Sequence, residues 1–272
     1  MKRTSILLAV CVLVVTVLAP WAYAQAPAQK PAVPDSEKWE FGIVPYFWGT
    51  QIDSRVTVKG YDATSTTYFS DIWDNLDGAF LVHMEAMKGG KWGFFVDAIY
   101  LKVQDEGEFK RARALRPDPP TRDLTFTTES WIVEFGGMYR LGKWPMEGKP
   151  GQAVTLDGLV GGRYWDMSMD LDTSTRIHPS GSDQWVDPFI GAQVKVDITK
   201  QLSFILRGDI GGFGVGSQIS YNGFALFGYS FTPNFTALLG YRALYIDYKK
   251  SSSDFRAKET FQGPIAGLAI IF

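Results

Sequence analysis

Residues 263–272 read GPIAGLAIIF, and the alternation in them decides the fold. Counting back from Phe272, one face of an extended chain carries Ile270, Leu268, Ala266 and Pro264; the other carries Ile271, Ala269, Gly267 and Ile265. The ends of water-soluble domains are commonly polar and frayed. A final segment that is apolar at every second position and closes on a bare phenylalanine reads instead as a β-strand with one face turned toward something greasy.

The same period of two recurs upstream. In KWGFFVDAIYLKV (91–103) one face carries Trp92, Phe94, Val96, Ala98 and Tyr100, with Asp97 on the other. In ESWIVEFGGMYRLG (129–142) Trp131, Val133, Phe135 and Tyr139 oppose Ser130, Glu134, Gly136 and Arg140. Val186, Ile190, Ala192, Val194 and Val196 oppose Asp187, Gln193 and Lys195; Phe204, Leu206 and Ile210 oppose Arg207 and Asp209; Leu239, Tyr241, Ala243 and Tyr245 oppose Arg242. Long strands are expected at 39–50, 78–88, 91–104, 123–141, 153–169, 184–197, 201–213, 218–231, 234–249 and 255–272, ten in all. The stretch 51–77 leaves two readings open: RVTVKG and TSTTYF can add a hairpin, making twelve, and SDIWDNLD can follow as a short helix folded toward the interior.

A sandwich would also show one apolar and one charged face. Three features argue against it. Many of the strands reach the roughly 9 to 11 residues that a tilted membrane-crossing strand needs. Aromatics gather at the ends of the apolar faces, with Trp39, Trp92, Tyr139 and Phe231 at one rim and Tyr100, Tyr164 and Tyr245 nearer the other. Short links (88–91, 198–201, 232–234) alternate with long ones (104–122, 171–184); the 141–152 link is longer than this scheme expects.

The start of the chain fits an exported protein. Lys2 and Arg3 precede an apolar run from Ile6 to Ala19, and Ala22-Tyr23-Ala24 forms a small-x-small cleavage pattern, so residues 1–24 read as a signal peptide. Residues 25–37 read as an Ala/Pro-rich tether and 38–272 as one barrel domain. The lone Cys11 falls inside the signal, which excludes a disulfide scaffold from the mature chain. Losing two of 27 basic residues against 29 acids leaves a mature net charge of about −4, which argues against nucleic acid as a partner.

Together, the signal, the alternating strands, the aromatic rims and the terminal Phe272 behind Ile270, Leu268 and Ala266 resemble the outer-membrane β-barrel proteins of Gram-negative bacteria. The resemblance implies an all-β, antiparallel up-and-down transmembrane barrel of about ten strands, a monomer among outer-membrane lipid and lipopolysaccharide. It also implies a C-terminal strand read by the barrel-assembly machinery. No function-specific motif accompanies it.

If the apolar faces meet lipid, the interior is lined by Glu40, Glu85, Asp97, Glu134, Asp157, Asp187 and Asp209 with Arg140, Arg163, Lys195, Arg207 and Arg242. Buried charges must be paired or wet, so the near balance of sign predicts ion pairs between strands. Glu85, Asp97, Glu134, Arg163, Asp187, Arg207, Asp209 and Arg242 are the candidate pore residues of a narrow channel for small polar solutes. The alternative is a non-conducting structural or surface-interaction barrel, since ten strands leave little more than side-chain space. A lipid or peptide hydrolase is a weaker third reading, resting on His83 with Glu85, or on His178 with Ser180, Ser182 and Asp183. The glycines of GDIGGFGVGS (208–217) lack the lysine of a phosphate loop, MDLDTS (169–174) is too short for a calcium loop, and no cofactor is expected. The basic loop FKRARALRPDPPTR (109–122) is expected to be solvated, with arginines suited to phosphate.

Overall fold

The computed structural model describes residues 37–58, 61–74, 76–107, 124–173, 180–249 and 255–272. The signal, most of the tether, His178 and the basic loop 109–122 lie outside these residues. In chain order the described elements are β1 (Trp39–Trp48), β2 (Gln51–Val58), β3 (Tyr61–Thr67), a short helix α1 (Phe69–Asp74), β4 (Leu76–Lys88), β5 (Trp92–Gly107), β6 (Leu124–Pro145), β7 (Ala153–Thr173), β8 (Ser180–Asp197), β9 (Leu202–Gly211), β10 (Ile219–Ser230), β11 (Phe235–Lys249) and β12 (Phe255–Ile271).

Each strand from β4 to β12 pairs antiparallel with the next, and β1 pairs with both β4 and β12, closing a ring of ten. The β12 strand has two partners along one edge: Ile265–Ile271 face β1, and Phe255–Gln262 face β2. The β2–β3 hairpin therefore continues the β1 edge beyond the ring. Twelve segments and ten ring positions reconcile the two strand counts open in the sequence. Closure ends at the C-terminus, where the Phe41 and Phe272 backbones exchange two hydrogen bonds of 3.0 and 2.9 Å.

Local chemistry explains the joints. The link at 88–91 closes on a Lys91 N–H to Lys88 carbonyl bond with Gly89 and Gly90 at φ of 56° and 60°, the conformation of a type I′ hairpin turn. The 141–152 link is shorter than the sequence suggested, because β6 carries on to Pro145 past a bulge between Arg140 and Gly142.

Alternation sets the polarity of the wall. Phe94, Val160 and Leu239 point out, at 56%, 62% and 64% exposure. Their chain neighbours Phe95, Leu159 and Leu238 point in, into clusters that fill the lumen. One cluster joins Phe95, Met138, Leu159 and Phe189 on the short-turn side; the other joins Trp48, Ile99, Ile132, Trp165, Leu244, Ile246, Phe261 and Ile265 on the long-loop side. Inward glycines make room for the aromatics. A Cβ at Gly161 would lie 2.8 Å from Phe189 Cζ, and one at Gly136 would lie 3.0 Å from Phe95 Cζ.

The helix α1 corrects one expectation. It does not fold toward the interior: Phe69 and Trp73 pack edge-on against Phe47, with ring centroids 5.5 and 5.9 Å away. Phe47 sits opposite Ala266 on the outward face, so α1 covers the outside of the wall.

Candidate functional site

Between the two apolar clusters lies a layer of charge built by inward positions of five strands. Its centre is Glu134 on β6, with no exposed surface. Arg163 of β7 donates from Nε to Glu134 Oε1 at 3.0 Å, Arg207 of β9 from Nη2 to Oε2 at 2.9 Å, and Arg242 of β11 from Nη2 to Oε1 at 2.8 Å. Two further carboxylates complete the balance. Asp209 accepts from Arg163 at 2.6 Å and from Arg207 at 3.2 Å; Asp97 accepts from Arg242 at 3.0 Å. Three guanidinium groups thus face three carboxylates, which removes most of the cost of burying either set.

Neutral groups satisfy most of what remains. Tyr46 OH donates to Asp97 at 3.0 Å and accepts from Arg242 at 3.1 Å. Asn222 donates to Asp209 at 3.0 Å and accepts from Arg242 Nε at 3.1 Å, while Ser220 accepts from Arg163 at 3.3 Å. Aromatic faces close the layer: the Arg207 guanidinium lies 4.8 Å from the Phe95 centroid, Arg163 lies 5.2 Å from Phe189, and Arg242 lies 5.1 Å from Trp48. The exception is Arg207 Nε, buried without an acceptor among the described residues.

Six of the eight candidate pore residues meet here: Asp97, Glu134, Arg163, Arg207, Asp209 and Arg242. The other two stand apart. Asp187 is a register neighbour of Arg163, yet its carboxylate accepts from Trp165 Nε1 at 3.0 Å, Ser217 N–H at 2.6 Å and Ser217 Oγ at 2.8 Å. Glu85 faces His83 Nε2 across 3.8 Å nearer the short-turn mouth, and His83 Nδ1 lies 3.4 Å from Asp97. Arg140 pairs with Asp157 at 2.9 Å, again toward that mouth. Tyr46, Asn222 and Ser220 were not singled out from the sequence; their parity with Trp48, Phe224 and Leu226 was the available signal.

Outside the wall the pattern inverts. An apolar band is bounded by Trp39, Trp92 and Tyr139 at the short-turn end; Trp39 and Trp92 pack edge to face at 5.4 Å, and Trp92 sits opposite Tyr139. At the other end Tyr221 stacks on Tyr245, and Tyr100 and Tyr164 donate to Glu129 at 3.2 Å and Asp166 at 3.3 Å, so their hydroxyls reach the carboxylates that begin the polar surface. A closed antiparallel ring with charge inside and an aromatic-edged apolar band outside pairs the backbone along its ladders where hydrocarbon offers no partner. The fold is that of an outer-membrane β-barrel.

No family model matches this sequence, and no curated protein does. Solved structures do match, at low identity. The outer-membrane protease OmpT from Escherichia coli is 11% identical with a TM-score of 0.47, over 90% of this chain and 99% of that one. The attachment invasion locus protein Ail of Yersinia pestis, in complex with the heparin analogue sucrose octasulfate, is 14% identical with a TM-score of 0.40, over 87% and 99%. The Pseudomonas putida toluene transporter TodX is 9% identical with a TM-score of 0.30, over 88% and 90%. Likeness at this level assigns no role, so what the barrel does must be argued from its own lumen and surface.

Proposed function

We propose that this protein resides in the Gram-negative outer membrane as a monomeric barrel with a sealed lumen, acting through its rims and outer wall rather than as an open pore. The observation that carries the reading is the filled charge layer: Glu134 and Arg163 have no exposed surface, and apolar clusters close it above and below. The short turns then face the periplasm, the long loops face outward among lipopolysaccharide, and the strand ending at Phe272 is the handle for the assembly machinery.

A gated pathway for small polar solutes is the second reading. One observation favours it: Arg207 Nε lacks an acceptor among the described residues, so the network has an imperfect joint on the Arg207–Asp209 side. Hydrolysis has less support, since the two ring nitrogens of His83 face carboxylates. Single-channel recording of the mature protein in a planar bilayer tests the choice. A sealed lumen gives a silent baseline from protein shown to be folded by heat-modifiable gel mobility. Steady ion-selective currents would overturn sealing and return the channel to first place.

A further inference from the structure

The hydrogen-bonded wall parts at one place. The β1–β4 ladder runs from Trp39↔Lys88 to Pro45↔Val82 and ends there; continuing it would set Phe47 opposite Phe80 and Trp48 opposite Ala79. Instead the Trp48 carbonyl turns back to its own chain, accepting from Thr50 N–H at 2.9 Å and Thr50 Oγ1 at 3.2 Å. On the far side β3 pairs with β2, and among the described residues no ladder joins β3 to β4 or β5. The result is a seam between the β1–β2–β3 edge and the first residues of β4. Phe47 and Phe80, both outward and exposed, place its lower end within the apolar band.

Backbone edges bare to hydrocarbon are costly, so a seam at this depth needs a cover. The cover is α1, held on Phe47 by Phe69 and Trp73. Behind the seam the lumen is apolar: Trp48, Ile52, Leu81 and Ile99 belong to the long-loop-side cluster. Among these four side chains there is one polar atom. Trp48, 6% exposed, keeps its indole Nε1 buried without an acceptor among the described residues. A buried N–H with no partner costs free energy unless something supplies an oxygen.

We propose that the seam is a lateral binding site for an acyl chain of an outer-leaflet lipid. The chain passes between Phe47 and Phe80 under α1 and lies against Leu81 and Ile52, and an ester carbonyl of the lipid accepts the Trp48 Nε1–H. Three features favour an acyl chain over a water-soluble ligand: the depth of the seam, its aromatic cover and the apolar lining behind it. The site stands whether or not the lumen conducts along its axis.

Photo-crosslinking of the folded mature protein in vesicles tests it. The probes are a phosphatidylcholine with a diazirine midway along an ester-linked chain and its ether-linked twin, and adducts are mapped by mass spectrometry. Residue parity supplies the readout, because ordinary lipid contact labels only outward positions such as Phe80 and Met84. Binding at the seam adds inward adducts at Trp48 and Leu81, stronger with the ester lipid than with the ether. The mature chain has no cysteine, so Phe47→Cys with Phe69→Cys can tether α1 by oxidation; inward adducts are then lost and return on reduction while outward ones persist. Adducts confined to outward residues, equal labelling by the two lipids, or inward labelling unchanged by the tether would each overturn the proposal.

Discussion

Glu134 receives three guanidinium groups where no water reaches. Removing one side of a buried ion network leaves the other uncompensated, at about 3–5 kcal/mol. Glu134→Gln should therefore lower unfolding stability in urea-treated vesicles by that amount, whereas Asp187→Asn, which loses acceptance from neutral donors, should cost less. Beyond the apolar band, Arg256 donates from Nε to Asp247 at 2.8 Å and holds that carboxyl below its ordinary value. With the folded value depressed, this stabilisation is present above the ordinary carboxylate range near pH ~4 and fades as pH falls below it. The pH dependence of unfolding should flatten between pH 5 and 3 in Asp247→Asn; an unchanged profile would sink that assignment. Which charges face inward was legible residue by residue, because parity along a strand is arithmetic. Who pairs with whom was not. Arg163 has Glu134 and Asp187 as cross-strand neighbours, yet it bonds Glu134 and, two strands away, Asp209. That choice depends on barrel shear and on how far an arginine reaches across a lumen, and neither quantity is local.

Strands announced themselves through length and alternation, and the long links through composition. The ends were harder: β6 runs to Pro145 because a bulge absorbs one residue, and a bulge leaves no periodic trace. The direction of α1 was also illegible, since FSDIWD carries apolar side chains whichever face of a wall it covers; Phe47, its partner, belongs to another element. Packing between strands gives a sharper prediction. At Gly161 an added Cβ would meet the Phe135 carbonyl oxygen at 2.2 Å as well as Phe189, and neither a backbone nor a filled cluster yields cheaply. Gly161→Ala should destabilise by about 1–3 kcal/mol in the same urea assay, the usual cost of overpacking. At Gly208, where nothing lies within 4 Å, the same change should be nearly neutral. For β12, deleting Phe272 removes both closing hydrogen bonds to Phe41 and a stacked ring 6.2 Å away. Assembly into vesicles, followed by gel mobility, should slow, while a conservative change on the outward face of the same strand such as Leu268→Ile should assemble at the normal rate.

For the molecule as a whole, the proposed sealing has two parts, ionic in the middle and apolar on either side. Changing Arg207 and Asp209 together to alanine removes the two bonds that link β9 to Glu134 and Arg163, the one between the two side chains themselves, and one that Asn222 makes. If the charge layer alone blocks passage, the double variant should show currents in planar bilayers where the wild type is silent; if it stays silent, the apolar clusters suffice. The wall itself is uneven in height, and this has a kinetic consequence. The β9 strand has 10 residues, about what a bilayer requires, whereas β6 has 22 and stands paired on both sides between β5 and β7 well past the band. Past the band the strand has no lipid beside it, whereas its lower amides, between Ile132 and Met138, are shielded by lipid and a filled core. Deuterium should therefore enter β6 at two rates, early between Leu124 and Thr128 and over hours between Ile132 and Met138, so that one continuous strand keeps two clocks.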